Sequence, residues 1–161
     1  MKSILKLVTV VVLTISFTAC SGNKPKQKEV IKPVNFAEEN QQEIEKYISD
    51  QNLQAKKTAS GLYYVIEEEG EGENPVASST VRVAYKGAFT NGKVFDQSKA
   101  EGISFPLSGV IKGWTEGIPL FKVGGKGKLI IPSSLGYGRR GTRGIPGGSV
   151  LIFDIKLLEI K

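Results

Sequence analysis

The sequence contains no histidine and only one cysteine among its 161 residues. The absence of histidine excludes catalytic triads, histidine-ligated metal sites and acid–base catalysis by imidazole. The lone cysteine, Cys20, lies near the amino terminus, and we expect it to be modified, so that no thiol is left for a disulfide, a nucleophile or a metal. We therefore predict a function that needs no metal and no cofactor.

A leader segment precedes this cysteine. It begins with two lysines and continues at residues 7–17 as an apolar run that is too short for an ordinary membrane-spanning helix. The run ends at positions 17–20 in the letters FTAC, which resemble the lipobox of bacterial lipoproteins. We expect residues 1–19 to be a lipoprotein signal peptide and Cys20 to carry the lipid. A free buried cysteine and an uncleaved anchor are the alternatives.

Removal of residues 1–19 would take away two lysines and lower the formal net charge from +6 to +4. Residues 20–34 are polar, with four lysines against one glutamate, and cannot bury enough apolar surface to fold. We predict a tether here, and contact of its lysines with anionic lipid is the alternative. Ser21 is not a recognised signal for retention at the inner membrane, and no acidic run follows Cys20. We therefore predict a lipoprotein that is anchored in the outer membrane and faces the periplasm.

An amphipathic helix is predicted directly after the tether. Asn35 offers an amino-terminal cap with Glu38 three residues later, close to a capping box. Apolar residues then recur at helical spacing up to about Gln51, namely Phe36, Ala37, Ile44, Tyr47 and Ile48. A helix of about 15 residues is marginal alone, so it must dock either on its own domain or on a second copy, as a homodimer through residues 35–51. We assign residues 35–60 to this helix and a connector.

From residue 61 the pattern becomes that of a sheet. Apolar and polar residues alternate between positions 81 and 86, and Asn91-Gly92 marks a tight turn. We predict strands at 62–68, 81–86, 93–96, 103–107, 126–131 and 150–160. Alternation slips in the last strand at Leu157-Leu158, which indicates a β-bulge. Residues 61–161 therefore suggest an antiparallel α+β domain of roughly 100 residues, large enough for one core.

The only tryptophan lies in the stretch GVIKGWTEGI at positions 109–118. Its apolar residues fall at helical spacing, which predicts a short helix. Gly113 and Gly117 are poor helix formers, and their value would be to let another element approach closely. Trp114 is then either a core residue or part of a site, and this stretch alone favours the core.

Seven motifs in order resemble an FKBP-type peptidyl-prolyl cis-trans isomerase over about residues 60–161. They are YKG at 85–87, GKVFDQS at 92–98, FPL at 105–107, VIKGW at 110–114, LGYG at 135–138, IP at 145–146 and LIFD at 151–154. The whole chain is also similar to membrane-anchored FKBP lipoproteins of the Bacteroidetes type, including those associated with gliding motility. The resemblance implies a bent antiparallel sheet of about five strands wrapped around one short α-helix, here preceded by the amino-terminal helix.

The resemblance also implies a site, with Trp114 as the floor of a substrate pocket. It assigns catalytic roles to Tyr85, Phe95, Asp96, Ile111, Trp114 and Tyr137. It assigns substrate-binding roles to Phe105, Val110, Ile145 and Phe153. The Ile111 backbone N–H and the Tyr137 hydroxyl would be the hydrogen-bond donors, and Asp96 would orient the tyrosine side of the pocket or polarise the carbonyl region. A carboxylate that caps the turn after Asn91-Gly92 is the alternative for Asp96.

The implied activity is acceleration of X-Pro rotation in proline-containing polypeptide clients outside the cytoplasm. This reaction needs no nucleophile, metal or proton carrier, which agrees with the residues that the chain lacks. A non-catalytic FKBP-fold module that holds clients or joins a membrane complex is the alternative; lost pocket aromatics would indicate it, and none are lost. Nucleic acid is not an expected partner, because the positive charge is dispersed and the lipid holds the protein elsewhere.

Two further expectations concern segments around the pocket. Three arginines, Arg139, Arg140 and Arg143, lie between Tyr137 and Ile145, and we expect them to overhang the pocket mouth; a solvated turn is the alternative. Because every predicted pocket residue follows residue 61, we also expect the amino-terminal helix to be dispensable for activity on a short peptide.

Overall fold

The structure, a computed structural model, describes residues 35–161. The predicted signal peptide, the tether and Cys20 lie outside the described residues. Two α-helices and seven β-strands follow in the order α1 (Phe36–Asp50), β1 (Lys56–Lys57), β2 (Tyr63–Glu68), β3 (Thr80–Ala88), β4 (Val94–Gln97), β5 (Ile103–Pro106), α2 (Lys112–Gly117), β6 (Lys126–Ile131) and β7 (Leu151–Ile160). Between residues 35 and 161 no helix has the length and apolar character needed to cross a membrane.

All seven strands belong to one antiparallel sheet in the order β1-β2-β6-β7-β3-β4, and β5 pairs with the same edge of β3 as β4 does. The α+β fold of the prediction is confirmed, with more strands than the expected five. The strand that the sequence did not reveal is β1, in which Lys56 and Lys57 pair with Tyr64 and Tyr63. Two exposed lysines carry no alternation, so sequence periodicity could not detect them.

The predicted bulge in the last strand is confirmed. Arg82 of β3 pairs with Glu159, but the next residue, Val83, pairs with Leu157, so Leu158 is left without a partner. The extra residue restores the alternation, because Leu157 lies in the core on one side of the bulge and Glu159 is partly exposed on the other.

The two faces of the sheet are covered by different helices. Along β6 and β7, residues such as Leu129, Ile131 and Phe153 belong to the core that includes Trp114 of α2. The intervening residues Ile130 and Ile152 point the other way and pack with Ile44, Tyr47 and Ile48 of α1. Burial of both faces explains the apolar runs LII at 129–131 in β6 and LIF at 151–153 in β7.

The docking partner of α1 is therefore the sheet of its own chain. Ile44 is 1% exposed among Tyr63, Ile130, Val150 and Ile152. The capping box expected at the start of α1 does not form, because the Asn35 side chain accepts no backbone N–H of the first turn. Its amide instead donates to the Glu38 carboxylate at 3.4 Å, and only its backbone carbonyl accepts the Glu39 N–H. Residues 34–161 form one compact unit.

Charged residues next to α1 form a ladder across neighbouring strands. The Lys128 ammonium on β6 donates to Asp154 on β7 and lies 3.5 Å from Glu67, while Lys86 on β3 lies 3.2 Å from Asp154. Burial alone would raise the pKa of Asp154, but hydrogen bonds and attraction from these two lysines outweigh it and hold that pKa below its usual value. The ladder thus lets four charges lie on a half-buried sheet surface as paired ions.

Candidate active site

The floor of the site is α2, which begins two residues later than the sequence predicts. Val110 and Ile111 are extended, with ψ angles of 178° and 149°, and only Lys112–Gly117 is helical. The extended pair places both residues in the lining of a cavity beside Trp114. A regular helix from residue 110 would have needed helical ψ angles at these positions.

The two glycines of α2 serve the close packing that the sequence analysis expected. A methyl group on Gly113 would lie 2.6 Å from Ile131, and one on Gly117 would lie 2.6 Å from Leu129. Both isoleucine and leucine belong to β6, so any larger residue would push the helix off the sheet. This approach leaves Trp114 4% exposed beneath the cavity.

Three aromatic rings surround the Trp114 indole. The rings of Tyr85, Phe105 and Phe153 lie 5.1, 5.3 and 5.2 Å from the indole, with interplanar angles of 85°, 69° and 82°. The buried indole N–H has no hydrogen-bond partner among residues 35–161. Edge-to-face packing, rather than a hydrogen bond, therefore fixes the orientation of the indole.

A second aromatic layer supports the first. The Phe95 ring lies 5.6 Å from Phe153 at 86° and 5.0 Å from Phe89. Gly87 makes this possible, because a methyl group there would lie 2.7 Å from the Phe95 ring and 2.8 Å from the Phe153 ring. Phe153 is 4% exposed, so it serves the core and the lining of the site at once.

The cavity above the indole has a volume of about 630 Å³. All ten side chains that the sequence analysis assigned to the site line it, namely Tyr85, Phe95, Asp96, Phe105, Val110, Ile111, Trp114, Tyr137, Ile145 and Phe153. Sequence reasoning missed the contributions of Gly109, Thr142 and Gly144. Thr142 and Gly144 could have been found from their place between Tyr137 and Ile145.

The polar edge of the site is a bonded pair. The Tyr85 hydroxyl donates to the Asp96 carboxylate at 2.7 Å. Burial, and then this carboxylate, raise the pKa of Tyr85 to about 12, so the hydroxyl stays protonated and keeps donating. Asp96 does not cap the preceding turn, because the side chain of Asn91 accepts the hydrogen bond from the Lys93 N–H there. Asp96 therefore lies where it orients Tyr85.

The opposite wall comes from residues 136–149, which lie within the loop between β6 and β7 and which we call the flap. Tyr137 is 39% exposed at its start, and Ile145 is 7% exposed near its end. The backbones of Thr142 and Ile145 bond to each other in both directions at 2.9 Å, which folds the flap tip back onto itself. The flap thus presents one half-exposed hydroxyl and one buried apolar side chain to the cavity.

The three arginines of the flap do not act as a group, which corrects the prediction. Arg143 lines the cavity. The Arg139 guanidinium instead lies 5.5 Å from the centre of the Phe36 ring on α1, and neither Arg139 nor Arg140 lines the cavity. Sequence spacing could not distinguish them, because the turn at Gly141, with φ of +69°, sends the chain in a new direction between them.

Comparison with known families gives a match over residues 71–158 to the family described as FKBP-type peptidyl-prolyl cis-trans isomerase. Among curated proteins, the chain is similar to the isomerase FkpA of Escherichia coli, with 48% identity over 119 residues, covering 73% of this chain and 43% of that protein. It is also similar to FkpA of Aeromonas hydrophila, with 44% identity over 129 residues, covering 78% of this chain and 48% of that one. The chain thus spans about half the length of these relatives.

Solved structures agree. The crystal structure of Escherichia coli FkpA superimposes with a TM-score of 0.70 and 44% identity, covering 78% of this chain and 60% of that chain. A peptidyl-prolyl cis-trans isomerase from Pseudomonas syringae superimposes with a TM-score of 0.68 and 29% identity, covering 81% of this chain and 98% of the other.

Proposed function

This chain belongs to the FKBP-type peptidyl-prolyl cis-trans isomerases, and we propose that it accelerates rotation about X-Pro bonds of polypeptide clients in the cavity over Trp114. The observation that carries the proposal is the set of three aromatic rings that lie within 5.3 Å of the indole, beneath a cavity of about 630 Å³. A proline ring is apolar and compact, and such an enclosure is suited to hold it while the preceding residue stays at the mouth.

The chemistry required is modest. Rotation about the X-Pro bond has a barrier of about 18–20 kcal/mol because amide resonance must be lost. The planar amide is more dipolar than the twisted one, so an apolar cavity that removes water destabilises the ground state more. Accelerations of about 10² to 10⁴ need only about 3–5.5 kcal/mol of preferential binding to the twisted state. Ring stacking and one or two hydrogen bonds are of that order.

Two donors are placed to contribute those hydrogen bonds. The Ile111 backbone N–H lies just before the first turn of α2, and no acceptor takes it among residues 35–161. The Tyr137 hydroxyl reaches the cavity from the flap. In this proposal Ile111 binds the client carbonyl on the floor side and Tyr137 binds it on the flap side. Tyr85, which already donates to Asp96, holds the wall between them.

An isomerisation assay tests the proposal directly. The full chain is added to a proline peptide whose cis and trans forms are followed by NMR exchange or by coupled proteolysis. We expect catalysed exchange, and saturating peptide should also change the fluorescence of Trp114, the only tryptophan in the chain. Binding without catalysis would instead support the non-catalytic holding module. If the peptide is neither bound nor isomerised, both functions are refuted. No feature of the described site favours the non-catalytic alternative.

The cellular setting is a separate proposal, supported by the sequence alone. We propose that Cys20 carries lipid after cleavage at residue 19 and that the domain works on the periplasmic side of the outer membrane. Cys20→Ala should then abolish acyl labelling and leave either an uncleaved precursor or soluble protein. If fractionation and labelling match the unaltered protein, the lipoprotein assignment is wrong. Association with a motility machine or with a second copy stays a prediction, and the apolar stripe of α1 that suggested a homodimer already packs on the sheet.

A further inference from the structure

Two polar residues are fully buried in the described chain, and they bond to each other. Asn40 of α1 is 3% exposed, and Ser133, between β6 and the flap, is 5% exposed. The Asn40 Oδ1 atom accepts the Ser133 backbone N–H at 2.8 Å. The Asn40 Nδ2 atom donates to the Gly148 carbonyl at 2.7 Å. The amide therefore spans the two ends of the flap, and only this orientation of the amide satisfies both bonds.

These bonds belong to a closed circuit. Beyond Asn40, the Ser133 carbonyl accepts the Gly138 N–H at 2.7 Å, and the Gly138 carbonyl accepts the Gly148 N–H at 2.9 Å. The circuit therefore runs from Asn40 through Ser133, Gly138 and Gly148 and back to Asn40. Gly138 directly follows Tyr137 in the chain. The side chain of α1 that closes the circuit thus fixes the peptide unit next to the exposed tyrosine of the site.

A neighbouring contact reinforces the same junction. Gly148 has φ of +79°, and a methyl group there would lie 2.2 Å from the Phe36 ring. The Arg139 guanidinium lies 5.5 Å from the centre of the same ring. Phe36 and Asn40, one helical turn apart, therefore both contact the flap. Ile44, one turn further on, instead belongs to the apolar cluster that α1 forms with residues of β2, β6 and β7 and the residue before β7.

We infer that Asn40 is a positioning residue for the active site: it closes the flap from outside the isomerase motifs and thereby sets where Tyr137 and Ile145 stand over the cavity. The inference rests on the proposed function for its catalytic consequence. A purely structural role would be served as well by an apolar residue, as Ile44 serves it. A buried amide with two directional bonds costs desolvation and in return fixes one arrangement of the flap backbone.

Hydrogen exchange provides the first test, since it does not depend on activity. Asn40→Ala and Ile44→Ala are made in the full chain. Asn40→Ala should speed amide exchange in residues 136–149 by about tenfold to a hundredfold, the effect expected for the two hydrogen bonds that are lost, and leave β6 and β7 protected. Ile44→Ala should lower Tm at least as far, because it leaves a cavity, but should not open the flap selectively. Equal flap exchange in both variants, or none, would overturn the inference.

Catalysis provides the second test. Asn40→Ala should lower kcat/KM by about threefold to tenfold at a temperature where both variants are folded, because a displaced Tyr137 binds the twisted amide less well. Ile44→Ala should stay within about twofold of the unaltered protein. A fall of the same size in both variants would reduce Asn40 to a stability role. If the unaltered protein does not isomerise proline at all, the proposed function fails. The exchange result would still show whether Asn40 holds the flap in place.

The variant Asn40→Asp adds a signature that loss of stability alone does not give. Its new carboxylate can accept from Ser133 but would repel the Gly148 carbonyl. Protonation would supply the missing donor, and burial raises the pKa of such a carboxyl group, so flap protection should recover as pH falls from about 8 to 5. The unaltered protein and Ile44→Ala should show no such recovery. Flap protection in Asn40→Asp, measured relative to the intrinsic exchange rate at each pH, that stays constant from about pH 8 to 5 would contradict the two-bond geometry.

Discussion

The two sides of the cavity are built in different ways. The floor side consists of Trp114 and rings from adjacent strands, and each of these side chains is fixed by ring packing and by strand pairing, such as Gly87 with Phe153. The flap side consists of 14 loop residues, 136–149, with an internal β-bridge and an internal hydrogen bond from Gly148 to Gly138. Residues outside the flap that hold it include Ser133, Phe36 and Asn40, the last 108 residues from its partner Gly148.

This difference separates what the family motifs encode from what residues outside those motifs add. The floor carries its own support, because aromatic residues and the glycines that make room for them lie within the motifs. The flap is a loop whose backbone is held by hydrogen bonds from a residue outside it. In this chain that residue belongs to α1, which lies outside the matched residues 71–158. An amino-terminal helix that the sequence suggested to be dispensable thus supports the site.

Deletion of residues 36–51 should have the largest effect on both stability and activity. It would expose Val150, Ile130 and Ile152, which are at most 4% exposed under α1, and would open the flap circuit. Each such side chain contributes roughly 1.5–3 kcal/mol when buried, so a loss above about 5 kcal/mol in the free energy of unfolding is expected, much of what a domain has. Denaturant unfolding and the isomerisation assay should both show severe loss, contrary to the expectation drawn from sequence.

Glu45→Ala, on the exposed side of α1, is the matched control and should change neither measurement. A deletion that keeps full stability and full activity would show that α1 is dispensable after all and would remove the basis for the role of Asn40.

Loss of the floor should have the next largest effect. Trp114→Ala removes the centre of three ring contacts and is expected to lower kcat/KM by at least about tenfold, since more than 1.4 kcal/mol of preferential binding is lost. The cavity also costs about 3–5 kcal/mol of stability. Circular dichroism must therefore show folded protein at the assay temperature. A folded variant with unchanged turnover would remove Trp114 from the catalytic site.

Much of the fold and the floor could be predicted from sequence, for a physical reason. Alternation, the bulge at Leu158 and the crowding around Gly113 and Gly117 are consequences of local spacing, which the letters carry directly. The aromatic rings around Trp114 could be predicted as well, because they lie in motifs that follow one another in the same order as in the family. The added strand β1 could not be predicted, since two residues have no period.

The flap could be predicted only in part. Tyr137 and Ile145 follow from motifs, but the directions of the arginines depend on turns at Gly138, Gly141 and Gly144, each with positive φ. Asn40 carried no signal, because an asparagine in an amphipathic helix is ordinarily solvated, and the chain separation to its partners is more than 90 residues. Tertiary contacts of that range are set by the assembled sheet and have no local pattern.

Substitutions in the hydrogen-bonded pair Tyr85–Asp96 should have a smaller effect on kcat/KM. Tyr85→Phe removes the hydroxyl but keeps the ring against Trp114, so we expect kcat/KM to fall by about threefold, the effect of one modest hydrogen bond. Asp96→Asn should give a similar loss, because a neutral amide holds the hydroxyl less strongly than a carboxylate does. A loss in either variant as large as in Trp114→Ala would mean that this pair takes part in the chemistry itself.

The same pair can be followed by its titration. Burial and the Asp96 carboxylate raise the pKa of Tyr85 from 10.0 to about 12, and burial also raises the pKa of Tyr47. The ultraviolet absorbance of tyrosinate should show late transitions, and the one that Tyr85→Phe removes belongs to Tyr85. The folded pKa lies above the unfolded one, so the contribution of this hydroxyl to stability is complete below about pH 10 and is lost as pH rises toward 12. Asp96→Asn should move the transition to lower pH. An unchanged transition would show that burial alone raises the pKa.

The smallest effect concerns the flap and its one cavity-lining cation. Arg143 lines the cavity while Arg139 lies over Phe36, so we expect a preference of about twofold to threefold for peptides with Asp or Glu near the proline over Lys equivalents, as for an exposed ion pair. The preference should shrink between 0.02 and 0.5 M salt, because the screening length falls from about 20 Å to under about 5 Å. Arg143→Ser should abolish it with activity on a neutral peptide kept within about twofold, and Arg140→Ser, the matched control, should leave it intact. Equal losses in the two variants would mean that the flap acts through its total charge, and the two sides of the cavity would then differ in charge rather than in the placement of single side chains.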